Sequence, residues 1–247
     1  MKADPFVQLR LLDLQALDSA LDRLAHRRRT LPELAEITRI EALVAALRDD
    51  TVRAETAVSD LAREQKKFED EIEQVRKRRA RDENHLNSGA VTQAKQLQEL
   101  EHEVATLIRR QGDLEDAELE VMERAETAQV ELDRLTGERD RLLAEQEAAA
   151  AARDQAFVDI DAELARTTAE RAALAPTFPA DLLGLYEKLR ADNGGVGVGA
   201  IERGRCGGCR LDLMNNEKSD IRAAAVDDVL RHDECGRIMV RTAESGL

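Results

Sequence analysis

Cys206-Gly207-Gly208-Cys209 puts two thiols three positions apart. Thiolates at that spacing grip one metal ion from a tight turn, and the glycines between them permit the turn. A structural zinc takes four ligands in a tetrahedron. The third cysteine of the chain, Cys235, lies in RHDECGR, and the residue three positions before it is His232. HDEC therefore repeats the spacing of CGGC with an imidazole in place of one thiolate, a routine exchange at zinc. One structural Zn2+ held by Cys206, Cys209, His232 and Cys235 is the expected cofactor. The neighbouring carboxylates Asp233 and Glu234 fit the turn spacing less well. Four protein ligands leave no open position for an activated water, so catalytic zinc is not expected. Redox use of the first pair would need a βαβ setting that the flanking sequence lacks. A degenerate site with weak metal affinity is the remaining alternative.

The unit that positions these ligands is small. Residues 195–247 contain no Phe, Tyr or Trp, and a unit of about 50 residues with so little bulk does not stabilise itself by burial alone. Metal binding can supply much of its folding free energy. VGVGAIERGRC has the alternation of a short strand. GVGVGA, residues 195–200, matches a dinucleotide fingerprint only superficially, because a helix precedes it and a cysteine turn follows. Arg203, Arg205, Arg210, Arg231, Arg237 and Arg241 cluster around the two ligand pairs and are candidates for phosphate or partner contact. With no aromatic residue nearby, base stacking has no platform.

The rest of the chain reads as helix. The 247 residues carry a formal charge of -14; 36% are charged, 2% aromatic, and none is Trp. That mixture marks long helices and coiled coils. Asp4 and Pro5 begin a first helix that ends near HRRRTLP. A second helix, about 32–87, has the seam Leu47, Thr51, Ala54, Val58, Leu61, Gln65, Phe68, Ile72 and Val75. A third, about 93–174, has Leu100, Val104, Leu107, Gln111, Leu114, Glu118, Val121, Ala125, Ala128, Leu132 and Leu135. Steps of four and three alternate, as the heptad rule requires. NSGAVT interrupts the pattern between them, with Gly89 as the turn residue.

An antiparallel pairing that sets Ile72 opposite Leu107 and Val58 opposite Val121 places the fold-back between Gly89 and Ala90. The same register sets Pro32 opposite Glu147, beside the alanine run 148–152. The first helix then either continues along the third or folds back into a three-helix section. Pro176 and Pro179 end the third helix, and PADLLGLYEKLRADNGG makes one more amphipathic helix. The expected fold is mainly α: a long antiparallel coiled-coil hairpin over 1–175 (kink near 30–32, turn near 88–92), a connecting helix over 176–194, and a small zinc-ribbon domain of short strands and a short helix over 195–247.

The arginine-rich run RKRRAR, from Arg76 to Arg81, reads as a solvated, salt-bridged helix face opposite Glu99, Glu101 and Glu103. The histidines at 26, 85, 102 and 232 are scattered, and no nucleophile–base or paired-carboxylate arrangement stands out. An enzyme is not expected. MKADPFVQLRLLDL lacks a signal peptide's apolar stretch, and no segment reaches the ~18 apolar residues of a membrane span. A cytoplasmic protein without membrane contact is expected. The hairpin satisfies its own seam and is compatible with a monomer.

SGAVTQAKQLQELEHEV at the hairpin tip, PADLLGLYEKLR, GGVGVGAI, RCGGCRLDL and the ending ECGRIMVRT together resemble a family of bacterial coiled-coil proteins with a C4-type zinc-ribbon tail, in an actinobacterial arrangement. The resemblance covers essentially the whole chain. His232 departs from it, standing where the family has a cysteine. It implies a long helical hairpin carrying a zinc ribbon, and a nucleic-acid-associated or transcription-associated role. The expected function is therefore a non-enzymatic adaptor whose ribbon binds RNA, DNA or a transcription-related protein; the alternative is a protein–protein scaffold whose zinc is purely structural and which binds no nucleic acid.

Overall fold

The computed structural model describes residues 1–246. Helix α1 (Pro5–Arg29) starts where Asp4 Oδ1 accepts the Phe6 N–H at 2.8 Å, with Pro5 in the first turn. The chain breaks at Thr30–Leu31 and resumes as α2 (Pro32–Asn87). A connection over 88–93, with Gly89 at φ 70°, leads into α3 (Ala94–Leu174). After a 3-10 turn, Ala175–Thr177, come α4 (Ala180–Asp192), β1 (Val198–Glu202), β2 (Arg205–Cys206), α5 (Asn215–Ala223), β3 (Leu230–Arg231) and β4 (Ile238–Val240). The sheet order is β2-β1-β4-β3, with β1 parallel to β4 and the other pairs antiparallel. The fold is mainly α, as expected.

Two compact units divide the chain: Ala35–Ala150, and Met1–Leu34 together with Ala151–Leu247. In the second of these the N-terminal residues share a compact unit with the C-terminal strands. Leu11 and Leu14 of α1 share one apolar core with Phe178, Leu182, Tyr186, Val198, Ile238 and Val240. Backbone bonds tie the N-terminus to the segment before β3: Ala3 N–H donates to Asp227 O at 2.8 Å and Val229 N–H to Met1 O at 3.1 Å. Buried Gln15 fastens α1 to the glycine-rich loop. Its Oε1 accepts the Gly197 N–H at 2.7 Å and its Nε2 donates to Gly195 O at 2.9 Å. A side-chain amide supplies both an acceptor and donors, so one residue bonds two positions of the loop at once.

Asp18 is the second polar anchor. It is buried, and it accepts from Arg171 Nε at 2.6 Å and from Tyr186 Oη at 2.7 Å, with Arg190 Nε 3.6 Å away. One carboxylate thus joins α1, α3 and α4. Arg28 pairs with Asp161 at 2.5 Å and lies over the Phe157 ring, 4.3 Å from its centroid. These contacts decide between the two courses left open for α1: it runs along the C-terminal part of α3. Leu31, at the helix break, packs with Ile160 while Ala156 and Phe157 flank them.

In Ala35–Ala150 the heptad reading holds at every seam position: each residue named for α2 and α3 is buried or half-buried. The register differs. Arg78–Glu103 and Glu71–Arg110 lie within two residues of the expected alignment, but Glu64 pairs with Arg124 and Glu41 bonds to Gln146, about a heptad further along α3. Buried Ile72 and Leu114, and buried Thr51 and Leu135, match at that later register. A seam that repeats every seven residues satisfies either alignment, so the pattern alone does not choose. The arginine-rich run is salt-bridged as expected, with different partners: Arg76 to Glu115 and Arg79 to Glu83, besides Arg78 to Glu103.

Candidate metal centre

The ligand atoms of Cys206, Cys209, His232 and Cys235 lie within 4.8 Å of one another. Two matching turns hold them. In the first, Arg210 N–H donates to Cys206 O at 2.7 Å; in the second, Gly236 N–H donates to His232 O at 2.7 Å. The donor residue is left-handed in both, at φ 67° for Arg210 and 70° for Gly236. His232 thus occupies the same backbone position in its turn that Cys206 occupies in the other. A glycine costs nothing at such an angle, whereas Arg210 is strained there.

The sheet explains how the turns meet. β1 and β4 lie parallel and adjacent. β2 leads directly into the first turn, and the second turn joins β3 to β4. The glycines of CGGC do more than bend the chain. Gly207 N–H donates to Ala200 O at 2.8 Å, and a Cβ on Gly199 would sit 2.3 Å from Gly208 N. The turn lies directly against β1, and this close approach accounts for Gly199, while Gly197 packs against Tyr186 O and Gly195 takes a φ of 95°. β1 is followed by a strand, so the nucleotide fingerprint has no helix to open. Beneath the ligands Ile201, Leu213, Ile221 and Met239 form a small apolar core with Cys206.

His232 Nδ1 is 3.3 Å from Cys209 Sγ and 3.1 Å from Cys235 Sγ. Ligand bond lengths of about 2.0 and 2.3 Å put neighbouring atoms of a zinc tetrahedron about 3.5–3.8 Å apart, so small adjustments of the four side chains would seat an ion. The donor chemistry fits zinc: three soft sulfurs and one imidazole nitrogen. Burial pushes the Cys206 thiol up to about 11, with the charge of Cys235 nearby adding to the effect against backbone N–H groups of Cys209 and Gly208. Burial also opposes ionisation of Cys235, but hydrogen bonds from Arg237, His232 and Cys209 outweigh it and bring the thiol down to about 6. Cys235 is thus the more readily ionised of the two thiols. A zinc ion bound here would draw the proton from Cys206.

The six arginines do not act as one group. Arg241 donates to the carbonyls of Ala225, Ile221 and Ala224, closing the end of α5. Arg237 donates to Val196 O and Asn193 O, and Arg231 to Gly236 O. Arg205 pairs with Asp212 at 2.6 Å. Arg203 and Arg210 are exposed and carry the left-handed backbone of two turns. Sequence reasoning placed all six near the ligands but had no means of seeing carbonyls converge on three of them. It also missed Glu217, a buried carboxylate beside His232, because nothing in NNEKSD distinguishes it from an ordinary first-turn acid.

Comparison with known proteins agrees with this architecture. Residues 14–194 match the CT398-like coiled coil hairpin domain and residues 205–239 the C4-type zinc ribbon domain. An uncharacterized protein of Mycobacterium tuberculosis is 42% identical over 241 residues, covering 98% of each chain. An uncharacterized protein of Mycobacterium leprae is 34% identical over 227 residues, which is 92% of this chain and 97% of that one. A solved structure from Mycobacterium smegmatis superposes with a TM-score of 0.82 at 39% identity, covering 98% of this chain and 100% of the other. The structure of CT398 from Chlamydia trachomatis shares the fold, with a TM-score of 0.63 at 21% identity over 96% of this chain and 98% of that one. With a hairpin and a ribbon that match in order and extent, the chain belongs to the CT398-like coiled-coil hairpin family and carries a C4-type zinc ribbon domain, in which Cys206, Cys209, His232 and Cys235 cluster.

Proposed function

We propose that the protein is a non-enzymatic adaptor for protein partners, with a zinc ion that only holds the ribbon together. The observation that carries this reading is the use made of the ribbon arginines: Arg231, Arg237 and Arg241 are spent on backbone carbonyls and Arg205 on a carboxylate. Arg241, committed to three carbonyls, and Arg237, committed to two, gain little from a phosphate. The net charge of -14 works against nucleic acid at long range. On α3, exposed Ile108, Leu119 and Val130 recur every eleven residues and so share one stripe of the helix. An apolar stripe suits a protein surface better than a polyanion. The ligand set fills a tetrahedron, which suits a structural role.

The test is a titration of the zinc-loaded protein against mixed RNA and duplex DNA across a salt series. The expected result is no binding even at low salt, where phosphate attraction is greatest. Binding that persists near 0.15 M salt, with a slope reporting several phosphate contacts, would overturn this reading in favour of nucleic acid recognition by the ribbon.

A further inference from the structure

We infer that Glu217 is the residue that lets His232 stand in for a thiolate: it orients the imidazole and restores the negative charge that a fourth cysteine would bring. The inference rests on the zinc reading of the ligand cluster. His232 presents Nδ1 to the sulfurs of Cys209 and Cys235. Its other nitrogen, Nε2, points away from them toward Glu217 Oε2, 3.8 Å distant. That nitrogen is buried and lacks a hydrogen-bond partner among the described residues. The His232 side chain is 0% and the Glu217 side chain 6% exposed, so water does not readily replace the contact. A buried N–H beside a buried carboxylate has one economical arrangement, in which the N–H donates to the carboxylate. Closing the 3.8 Å gap by about 1 Å achieves it.

Glu217 is itself held for the task. It lies in the first turn of α5, where the helix end favours an anion. Its Oε1 accepts the Asp233 N–H at 3.1 Å, which fixes it to the turn that carries His232. Zinc with four thiolates has a net charge of -2; with three thiolates and a neutral imidazole it has -1. The carboxylate of Glu217 returns the buried cluster to -2. A carboxylate on the far nitrogen also fixes the tautomer, leaving Nδ1 free to bind metal, and makes the imidazole a stronger donor.

The experiment is a double-mutant cycle on the full chain, read by zinc affinity in competition with a chromogenic chelator. Glu217→Gln keeps the side-chain volume and an acceptor for Asp233 N–H while removing the charge. It is expected to weaken zinc binding about ten- to a hundredfold in the parent. Combined with His232→Cys it is expected to have little effect, because the imidazole it serves is gone. Unchanged affinity in the parent background, or an equal loss in both backgrounds, overturns the role. A parent protein that takes up no zinc overturns the metal reading itself and this inference with it. A parent that binds zinc normally and ignores Glu217→Gln leaves the metal reading intact and removes only Glu217.

Discussion

The hairpin segment Ala35–Ala150 and the unit formed by the two ends of the chain solve the same problem in different ways. In the hairpin each helix buries one narrow stripe, and its fully buried apolar residues, among them Ile40, Leu61, Ile72, Leu114, Val121 and Leu135, are spaced along it one at a time. Around them lie exposed ion pairs such as Arg124–Glu64 and Lys66–Asp70. In the other unit side chains are buried from several directions, and polar groups sit among them: Gln15, Asp18, Glu217 and His232 are all buried. The repeating stripe tolerates change because each heptad contributes a small, similar share. The end unit is less forgiving, because single polar atoms connect elements far apart in sequence, and an unpaired one is costly.

Removing zinc is the largest expected break in this comparison. Chelation, or Cys206→Ser, should unfold the ribbon strands while the hairpin keeps its helical signal, since ribbon folding is tied to metal binding. Two-dimensional amide spectra alongside far-ultraviolet dichroism would separate the two units, and simultaneous loss of both would contradict their independence. The same site gives a pH dependence. Cys235 is already ionised above about 6 and Cys206 remains a thiol up to about 11. Between these limits zinc must expel the Cys206 proton, so affinity should rise about tenfold per pH unit for each proton released. A flat profile from pH 7 to 9 would contradict proton release from Cys206.

Asp18→Ala comes next. It leaves the buried Tyr186 hydroxyl without its acceptor and takes a partner from Arg171, which keeps Glu187, and from Arg190, which keeps Asp22, a loss of about 3 kcal/mol. Denaturant titration should place this loss above that of Leu114→Ala, a seam truncation in the hairpin expected to cost about 2–3 kcal/mol. The reverse order would mean that the seam, not the polar network, is the more sensitive region. Arg210→Gly should raise stability by about 1 kcal/mol by relieving a left-handed backbone angle; it should also leave zinc affinity unchanged. Arg124→Ala, which breaks an exposed ion pair, should change stability by less than about 0.5 kcal/mol. A larger loss would show that cross-helix charges help to set the hairpin register.

The residues of this chain by themselves determined the local elements. Asp4 with Pro5 began a helix, Gly89 turned the hairpin, the seams from Leu47 to Val75 and from Leu100 to Leu135 fell on the buried face, and two matched spacings predicted which four side chains would meet. Each of these follows from physics acting within a turn or a heptad. Only the tertiary structure decided the alignment of α2 with α3, because a heptad shift leaves the seam pattern unchanged. It also decided that α1 belongs with the ribbon, through Gln15 reaching Gly197 and Asp18 reaching Tyr186, and that three arginines cap carbonyls. The placement of Glu217 behind His232 was decided there too. Those choices depend on hydrogen bonds between residues far apart in the chain, whose donors and acceptors carry no mark in the local sequence of the partner they will find.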